Sequence, residues 1–187
     1  MLIKPNSAQL ITHFSSGAIL AYPTEAVFGL GCDPRNEEAI SRLFELKNRP
    51  LHKGVILIAG NVEQLEDFVD FSAIPKSQLS EVMASWPGPH TWLLPKQQNT
   101  SDSLTGGSDL IAVRVSAYPP VIDLCKILNS ALISTSANES GLPPATSQQQ
   151  IVQQFGDQVV CIEGKVGQQR NPSQIRNGLT GEIIRAG

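Results

Sequence analysis

The sequence is poor in the residues that build redox and metal centres. Its three cysteines, Cys32, Cys125 and Cys161, are odd in number, far apart and free of any C-x-x-C. The three histidines, His13, His52 and His90, show no H-x-x-x-H spacing. Both facts argue against a disulfide framework and a zinc site, and no metal ligands are assigned. Nor does any run approach the roughly 20 apolar residues that span a bilayer. The opening MLIKPNSAQL carries no apolar signal segment with a small-residue cleavage site, so a cytoplasmic location is expected. Aromatics are scarce, with two Trp and two Tyr, and the net charge is -3, which disfavours a dense basic, base-stacking surface. Familiar nucleotide and nucleophile motifs are missing as well. There is no G-x-x-x-x-G-K-[ST] and no G-x-S-x-G, and Gly29-Leu30-Gly31 lacks the third glycine of a dinucleotide fingerprint.

What is present reads as one α/β domain over residues 1–187, a twisted mixed sheet flanked by helices. Asn6 or Ser7 can cap a helix that ends near Ser16. The run Ala18–Tyr22, stopped by Pro23, suits a buried strand. Asn36 and two glutamates open a helix whose apolar face is Ala39, Ile40, Leu43, Phe44 and Leu46, ending at Pro50. Further strands are expected at Val55–Ala59, Trp92–Leu94, Leu110–Val115, Leu132–Ser134 and Val159–Ile162. Helices are expected at Val62–Val69, Pro75–Ala84, Val121–Leu128 and after Ser147, and a hairpin from Ser173 to Arg185. The pattern leaves the strand order open.

Four segments carry polar chemistry where a purely structural chain would not need it. In YPTEAVFGLG a buried strand runs into Thr24 and glycines, a favoured ligand position at a strand end, though a turn with a local Thr24 bond explains it equally. Lys47, Arg49, His52 and Lys53 crowd a helix end fixed by Pro50, either as a solvated face near the surface or as rigid cations for a polyphosphate. Arg114 sits inside the apolar strand LIAVRV and needs an anion, either an acidic side chain or a ligand carboxylate. The run Ser134-Thr135-Ser136-Ala137-Asn138 follows a strand as a turn cluster or as donors facing a phosphate.

Together these segments resemble the YrdC family of threonylcarbamoyl-AMP synthases, along nearly the whole chain. YPTEAVFGLG is similar to the family's opening motif, Lys47-Asn48-Arg49-Pro50 to its K-x-R-P, and Trp86-Pro87-Gly88-Pro89-His90-Thr91 to its W-P-G-P-x-T turn. Ala112-Val113-Arg114-Val115 resembles the V-R strand, and Ser136-Ala137-Asn138 with Ser140-Gly141 the S-A-N-x-S-G stretch. Pro172-Ser173 and Arg185-Ala186-Gly187 resemble the closing elements, and the chain looks like the short bacterial form. The resemblance implies a YrdC-like fold with a concave site at strand ends. It also implies a nucleotidyltransferase that joins L-threonine, bicarbonate and ATP, with Mg2+ accompanying the nucleotide. The product, threonylcarbamoyl-AMP, would pass to downstream proteins that modify tRNA.

In that reading Lys47 and Arg49 bind the phosphates, while Ser136 and Asn138 orient the carbamate, a phosphate or a metal-bound water. Arg114 takes the threonine carboxylate, with Thr24 and Thr91 nearby. Thr146, Ser173 and Arg185 complete the walls. Ala26 stands where many members have a second threonine, and Lys53–Ile58 replaces a stretch that ends in histidine. Part of the amino-acid pocket must therefore be built differently, and His52 is given no role. Gly106-Gly107 is a candidate lid on composition. Two alternatives stand beside this reading. One is a double-stranded RNA-binding or ribosome-maturation protein using the same concave face, with Lys47, Arg49, Lys53 and Arg170 on phosphates. The other is a carbamoyl-adenylate enzyme like the YrdC-like module of hydrogenase maturation proteins.

Overall fold

The computed structural model describes residues 1–5, 8–139, 141–169 and 171–187. Asn6 and Ser7, expected to cap the first helix, lie outside the described residues, as do Ser140 and Arg170. In chain order the elements open with β1 (Leu2–Ile3), α1 (Ala8–Ser15), β2 (Leu20–Pro23), β3 (Phe28–Gly31), α2 (Glu37–Leu46) and β4 (Ile56–Ala59). They continue with α3 (Lys76–Ala84), β5 (His90–Pro95), a single turn α4 (Asp102–Thr105), β6 (Leu110–Val115), α5 (Pro119–Leu128) and β7 (Leu132–Ser136). The chain closes with α6 (Gln148–Phe155), β8 (Val160–Ile162), β9 (Gln174–Asn177) and β10 (Ile183–Arg185).

The ten strands form one mixed sheet in the order β1-β8-β2-β3-β7-β4-β6-β5-β9-β10. β8 runs parallel to both β1 and β2, β4 is parallel to β6, and β5 is parallel to β9. The other neighbours, including the β2–β3 and β9–β10 hairpins, are antiparallel.

Alternation along the strands sends side chains to two faces. Ala21, Leu57, Val113 and Ile133 join the larger core, packed with Ile40, Leu43 and Phe44 of α2, Val82 of α3, and Ile151 and Phe155 of α6. Their neighbours Leu20, Tyr22, Ile58 and Leu132 point the other way, into a smaller core with Leu10 and Phe14 of α1 and Val121, Leu124 and Cys125 of α5. Among the described residues only these two helices pack into the second core, and the rest of that sheet face is where the site lies.

Helix α2 follows its sequence signals. Asn36 accepts from the Ala39 N–H at 2.9 Å, two glutamates occupy the first turn, and Ala39, Ile40, Leu43 and Phe44 are buried at helical spacing. It ends in a Schellman motif. Asn48 is left-handed (φ 47), its N–H meets the Glu45 carbonyl, and the Arg49 N–H meets that of Phe44. Ser147 and Gln150 form a reciprocal capping box on α6.

Two expectations need correction. The helix expected at Val62–Val69 is a single 3-10 turn, Glu63–Leu65, followed by turns. The Gln64 amide is drawn to Gly60 N–H and the Cys125 carbonyl, and Val69 bridges to Lys96, so the segment serves sheet edges rather than a helical ladder. The strand expected at Ala18–Tyr22 is present as β2, but Pro23 belongs to it rather than stopping it, and the chain turns tightly and returns as β3. Of the glycines that obscured β3, Gly31 is sterically required. A Cβ on Gly31 would lie 1.7 Å from the Ile133 carbonyl oxygen, across the β3–β7 pairing.

Gly31→Ala is therefore expected to force β3 and β7 apart and cost about 3 kcal/mol, roughly 6–12 °C of Tm. Thermal or urea unfolding measures this directly, and an unchanged Tm would show that the strand spacing relaxes freely.

Candidate active site

A cleft of about 860 Å³ opens on the half of the sheet that α1 and α5 leave bare. Its floor is built from alternate residues, Leu110, Ala112 and Arg114 of β6, Ser134 and Ser136 of β7, Ile56, Leu93, Gly29 and Ile175. The β2–β3 turn (Thr24–Val27), the segment after α2 (Arg49 to Val55), the turn around Thr105 and Ser108, and the crossover from β8 to β9 form its walls. It thus reaches from strand ends onto the sheet face.

Of the residues singled out in the sequence, Thr24, Arg49, Arg114, Ser136, Ser173 and Arg185 line this cleft. Lys47, Asn138 and Thr91 do not line it but are each bonded to a residue that does, and Thr146 lies on the exposed turn before α6. The Thr146 backbone N–H and hydroxyl both approach the Gln150 side-chain oxygen, at 2.7 and 3.2 Å, as part of the helix cap.

Lys47 is not near the surface as expected. Only 5% of it is exposed, and its ammonium donates to the carbonyls of Ser136 at 2.5 Å and Asn138 at 2.7 Å. Burial, and then the neighbouring Arg49, pull its pKa down to about 8. Arg49 is half-buried and reaches the Gly54 carbonyl at 2.9 Å, and burial lowers its pKa too. The left-handed Asn48 lies between Arg49, which reaches the cleft wall, and Lys47, which stays buried on the Ser136 and Asn138 carbonyls.

The Ser136 hydroxyl bonds Asn138 Oδ1 at 2.6 Å, and the Asn138 amide donates to the carbonyls of Glu139 and Leu142. The segment is therefore a knitted turn, as one reading expected, and its Ser134, Thr135 and Ser136 also line the cleft. Thr24 likewise makes its local bond, to the Val27 carbonyl at 2.7 Å. Thr91 is fully buried and meets the Ser173 hydroxyl at 2.7 Å, while Arg185 donates to the Ser173 carbonyl. Trp86–Pro87, which precedes Thr91, is a cis peptide.

Arg114 has an internal partner. Its Nη2 donates to Glu25 Oε2 at 2.9 Å, and the second Glu25 oxygen accepts from Ser116 Oγ at 2.7 Å. Sequence reading passed over Glu25 and Ser116. The available signal was an acidic residue and an arginine, each in an apolar strand context, that could answer one another. The Gly106-Gly107 turn is held close on one side. A Cβ at Gly106 would sit 2.3 Å from the His52 carbonyl, whereas Gly107 faces open space.

Among the described residues, no group of three or more His, Cys, Asp or Glu side chains comes together to hold a metal. Among them, too, no helix is long and apolar enough to cross a membrane. What the cleft offers is cations, hydroxyls and an apolar floor, which suits a substrate with phosphate at one end and a carboxylate at the other.

A bound polyanion favours the charged form of Lys47 and raises its pKa from about 8 toward the ordinary lysine value. Binding of inorganic pyrophosphate is thus expected to take up a proton near pH 8 and to weaken as the pH climbs past it. Calorimetry in two buffers of different ionisation enthalpy reads the uptake, which Lys47→Met should abolish. Uptake that survives this substitution would place the titrating group elsewhere.

Comparison with known proteins agrees in sequence and in shape. The family model for Sua5, YciO and YrdC proteins, described as telomere recombination, matches residues 12–187. A threonylcarbamoyl-AMP synthase of Pseudoalteromonas atlantica is 51% identical over 172 residues, 92% of this chain and 92% of that protein. One of Enterobacter sp. is 47% identical over 180 residues, covering 96% of this chain and 95% of that one. Among solved structures, P. abyssi Sua5 complexed with L-threonine superposes with a TM-score of 0.81 at 32% identity, over 89% of this chain. This chain spans 49% of that longer protein. E. coli YciO superposes at 0.78 over 100% of this chain and 96% of its own, but at 19% identity it speaks to the fold alone.

Proposed function

The chain belongs to the Sua5/YciO/YrdC family, and on that premise we propose that it is a threonylcarbamoyl-AMP synthase. The observation that carries the reading is near full-length identity to synthases of that name, in a chain whose cleft gathers cations at one end and an arginine–carboxylate pair on its floor. A relative solved with L-threonine supports the choice of amino acid. We take residues 1–187 as one YrdC-like unit.

The reaction balances in two steps. The threonine ammonium and bicarbonate condense to an N-carboxylate, releasing water and a proton. A carbamate oxygen then attacks the α-phosphorus of ATP, the bond to the bridging oxygen breaks, and pyrophosphate departs as threonylcarbamoyl-AMP forms. Mg2+ enters with the nucleotide as part of the substrate.

Arg49, with the Lys47 charge beside it, holds the polyphosphate and offsets the charge that grows on the leaving pyrophosphate. Lys47 also fixes the Ser136–Asn138 turn through its two carbonyls, so the Ser136 hydroxyl is held toward the reacting groups. Arg114 receives the threonine carboxylate, with Thr24 beside it. Thr91 acts through Ser173, and Arg185 through the Ser173 carbonyl. Thr146 serves the nucleotide wall from the N-terminal turn of α6. The product, a reactive mixed anhydride, passes to proteins that carry out threonylcarbamoyl transfer to tRNA.

Pyrophosphate release from ATP, bicarbonate and Mg2+ is expected to depend on L-threonine and not to be reproduced by serine or valine at equal concentration. No release with any amino acid, from folded protein that binds double-stranded RNA, would favour the RNA-binding alternative instead. Arg49→Ala and Lys47→Ala are each expected to lower turnover at least about tenfold, roughly 1.4 kcal/mol of barrier. Lys47→Ala should also lower the Tm, because it orphans two carbonyls, whereas Arg49→Ala should fold normally. Full activity in both variants would end the phosphate assignment.

A further inference from the structure

Glu25 sits where three parts of the cleft meet. It is 8% exposed, in the β2–β3 turn, and both its carboxylate oxygens are committed. Oε2 holds Arg114 Nη2, and Oε1 accepts from Ser116 Oγ, which in turn accepts from the Tyr118 N–H at 3.0 Å. The Tyr118 hydroxyl donates to the Lys165 carbonyl in the crossover from β8 to β9. That crossover returns to the same turn, with the Gly167 N–H on the Thr24 carbonyl at 2.9 Å and the Gln169 N–H on the Glu25 carbonyl at 3.1 Å. The approach is close, since a Cβ on Gly167 would fall 2.5 Å from the Glu25 carbonyl oxygen. The hydrogen bonds form a closed ring, Glu25–Ser116–Tyr118–Lys165–crossover–Glu25, with Arg114 attached at one point.

A guanidinium has five donors, and among the described residues that of Arg114 bonds to Glu25 alone. Arg114 also lines the cleft, so the pair leaves most of the fork for a ligand. A lone buried arginine would be costly and free to swing, whereas one held at a single corner is aimed.

We propose that Glu25 is a positioning residue for amino-acid recognition: it fixes the Arg114 fork in the orientation that grips the substrate carboxylate, and the Ser116–Tyr118 ring holds Glu25 in turn. The proposal rests on the synthase reading for the identity of the substrate, but the aiming of Arg114 by Glu25 does not.

Two measurements separate these. In steady-state pyrophosphate release, Glu25→Ala should raise the KM for threonine at least about tenfold, with kcat and the KM for ATP within about threefold of the original enzyme. Glu25→Gln keeps an acceptor for Arg114 and a group that can pair with the Ser116 hydroxyl. It should hold the threonine KM within about threefold, and Ser116→Ala should raise it only a few-fold. General damage to the fold would instead raise both KM values and lower kcat. Independently of turnover, the Arg114 Nη2–H resonance, identified by its loss in Arg114→Lys, should be resolved and protected from solvent exchange in the original protein and in Glu25→Gln. In Glu25→Ala that protection should be lost. An unchanged threonine KM in Glu25→Ala, or an Arg114 signal equally protected in all the Glu25 variants, would overturn the proposal. If the unaltered protein releases no pyrophosphate with threonine, the synthase reading falls, and the exchange measurement still decides whether Glu25 aims Arg114.

Discussion

The sheet has two faces and unequal cover for them. On one face, α2, α3 and α6 bury a continuous apolar layer that runs from Ala21 to Trp92. On the other, α1 and α5 seal only the end around Leu20, Tyr22, Ile58 and Leu132. The bare remainder cannot be left as exposed hydrocarbon, and its residues reflect that. Small and polar side chains such as Gly29, Ala112, Ser134 and Ser136 alternate with a few aliphatics, and loops from both ends of the strands fold over the rim. The cleft is the consequence of that incomplete cover, with its floor side chains aimed by strands and its walls supplied by the turns around it.

The electrostatics of the cleft are set by which charges have partners. Arg114 is matched by Glu25, so the floor carries little net charge. Lys47 and Arg49 are held only by carbonyl dipoles, and among the described residues neither has an acidic partner within salt-bridge reach. Buried or half-buried cations stabilised by dipoles alone remain under-compensated, as the lowered pKa of Lys47 expresses. An arriving polyanion supplies the missing counter-charge without displacing an internal one. In the proposed function the cationic end of the cleft serves phosphate, and the arginine–glutamate pair a single carboxylate.

Much of this could be read from the residues, for reasons that differ by element. α2 was legible because its cap, its acidic first turn, its apolar spacing and the stop at Pro50 all point the same way. β6 was legible to the residue, since LIAVRV is bounded by polar turns. β3 was not, because Gly29 and Gly31 depress any strand signal. Their reason lies in Tyr22, Thr24 and the Ile133 carbonyl, which are neighbours in space rather than in sequence. The same limit governs the site. Lys47 and Arg49 announce themselves as cations, but the depth of Lys47 depends on carbonyls in β7 and the turn after it, some ninety residues on. Glu25, in the β2–β3 turn, could not be matched to Arg114 in β6, because β7 and β4 separate β3 from that strand.

The placement of β8 has a consequence for synthesis of the chain. β8 inserts between β1 and β2, so on the outer edge of β2 Leu20 pairs with Val160, and Leu2 pairs with Cys161. The β2–β3 hairpin can form early on the ribosome, but the outer edge of β2 has nothing to pair with until nearly the whole polypeptide has emerged. Throughout that interval a short, wholly apolar strand edge is open to other nascent chains. The last strands made therefore close both the amino-terminal edge of the sheet and, through the crossover that follows β8, the mouth of the cleft. Folding of the first-made residues and completion of the active site are a single late event.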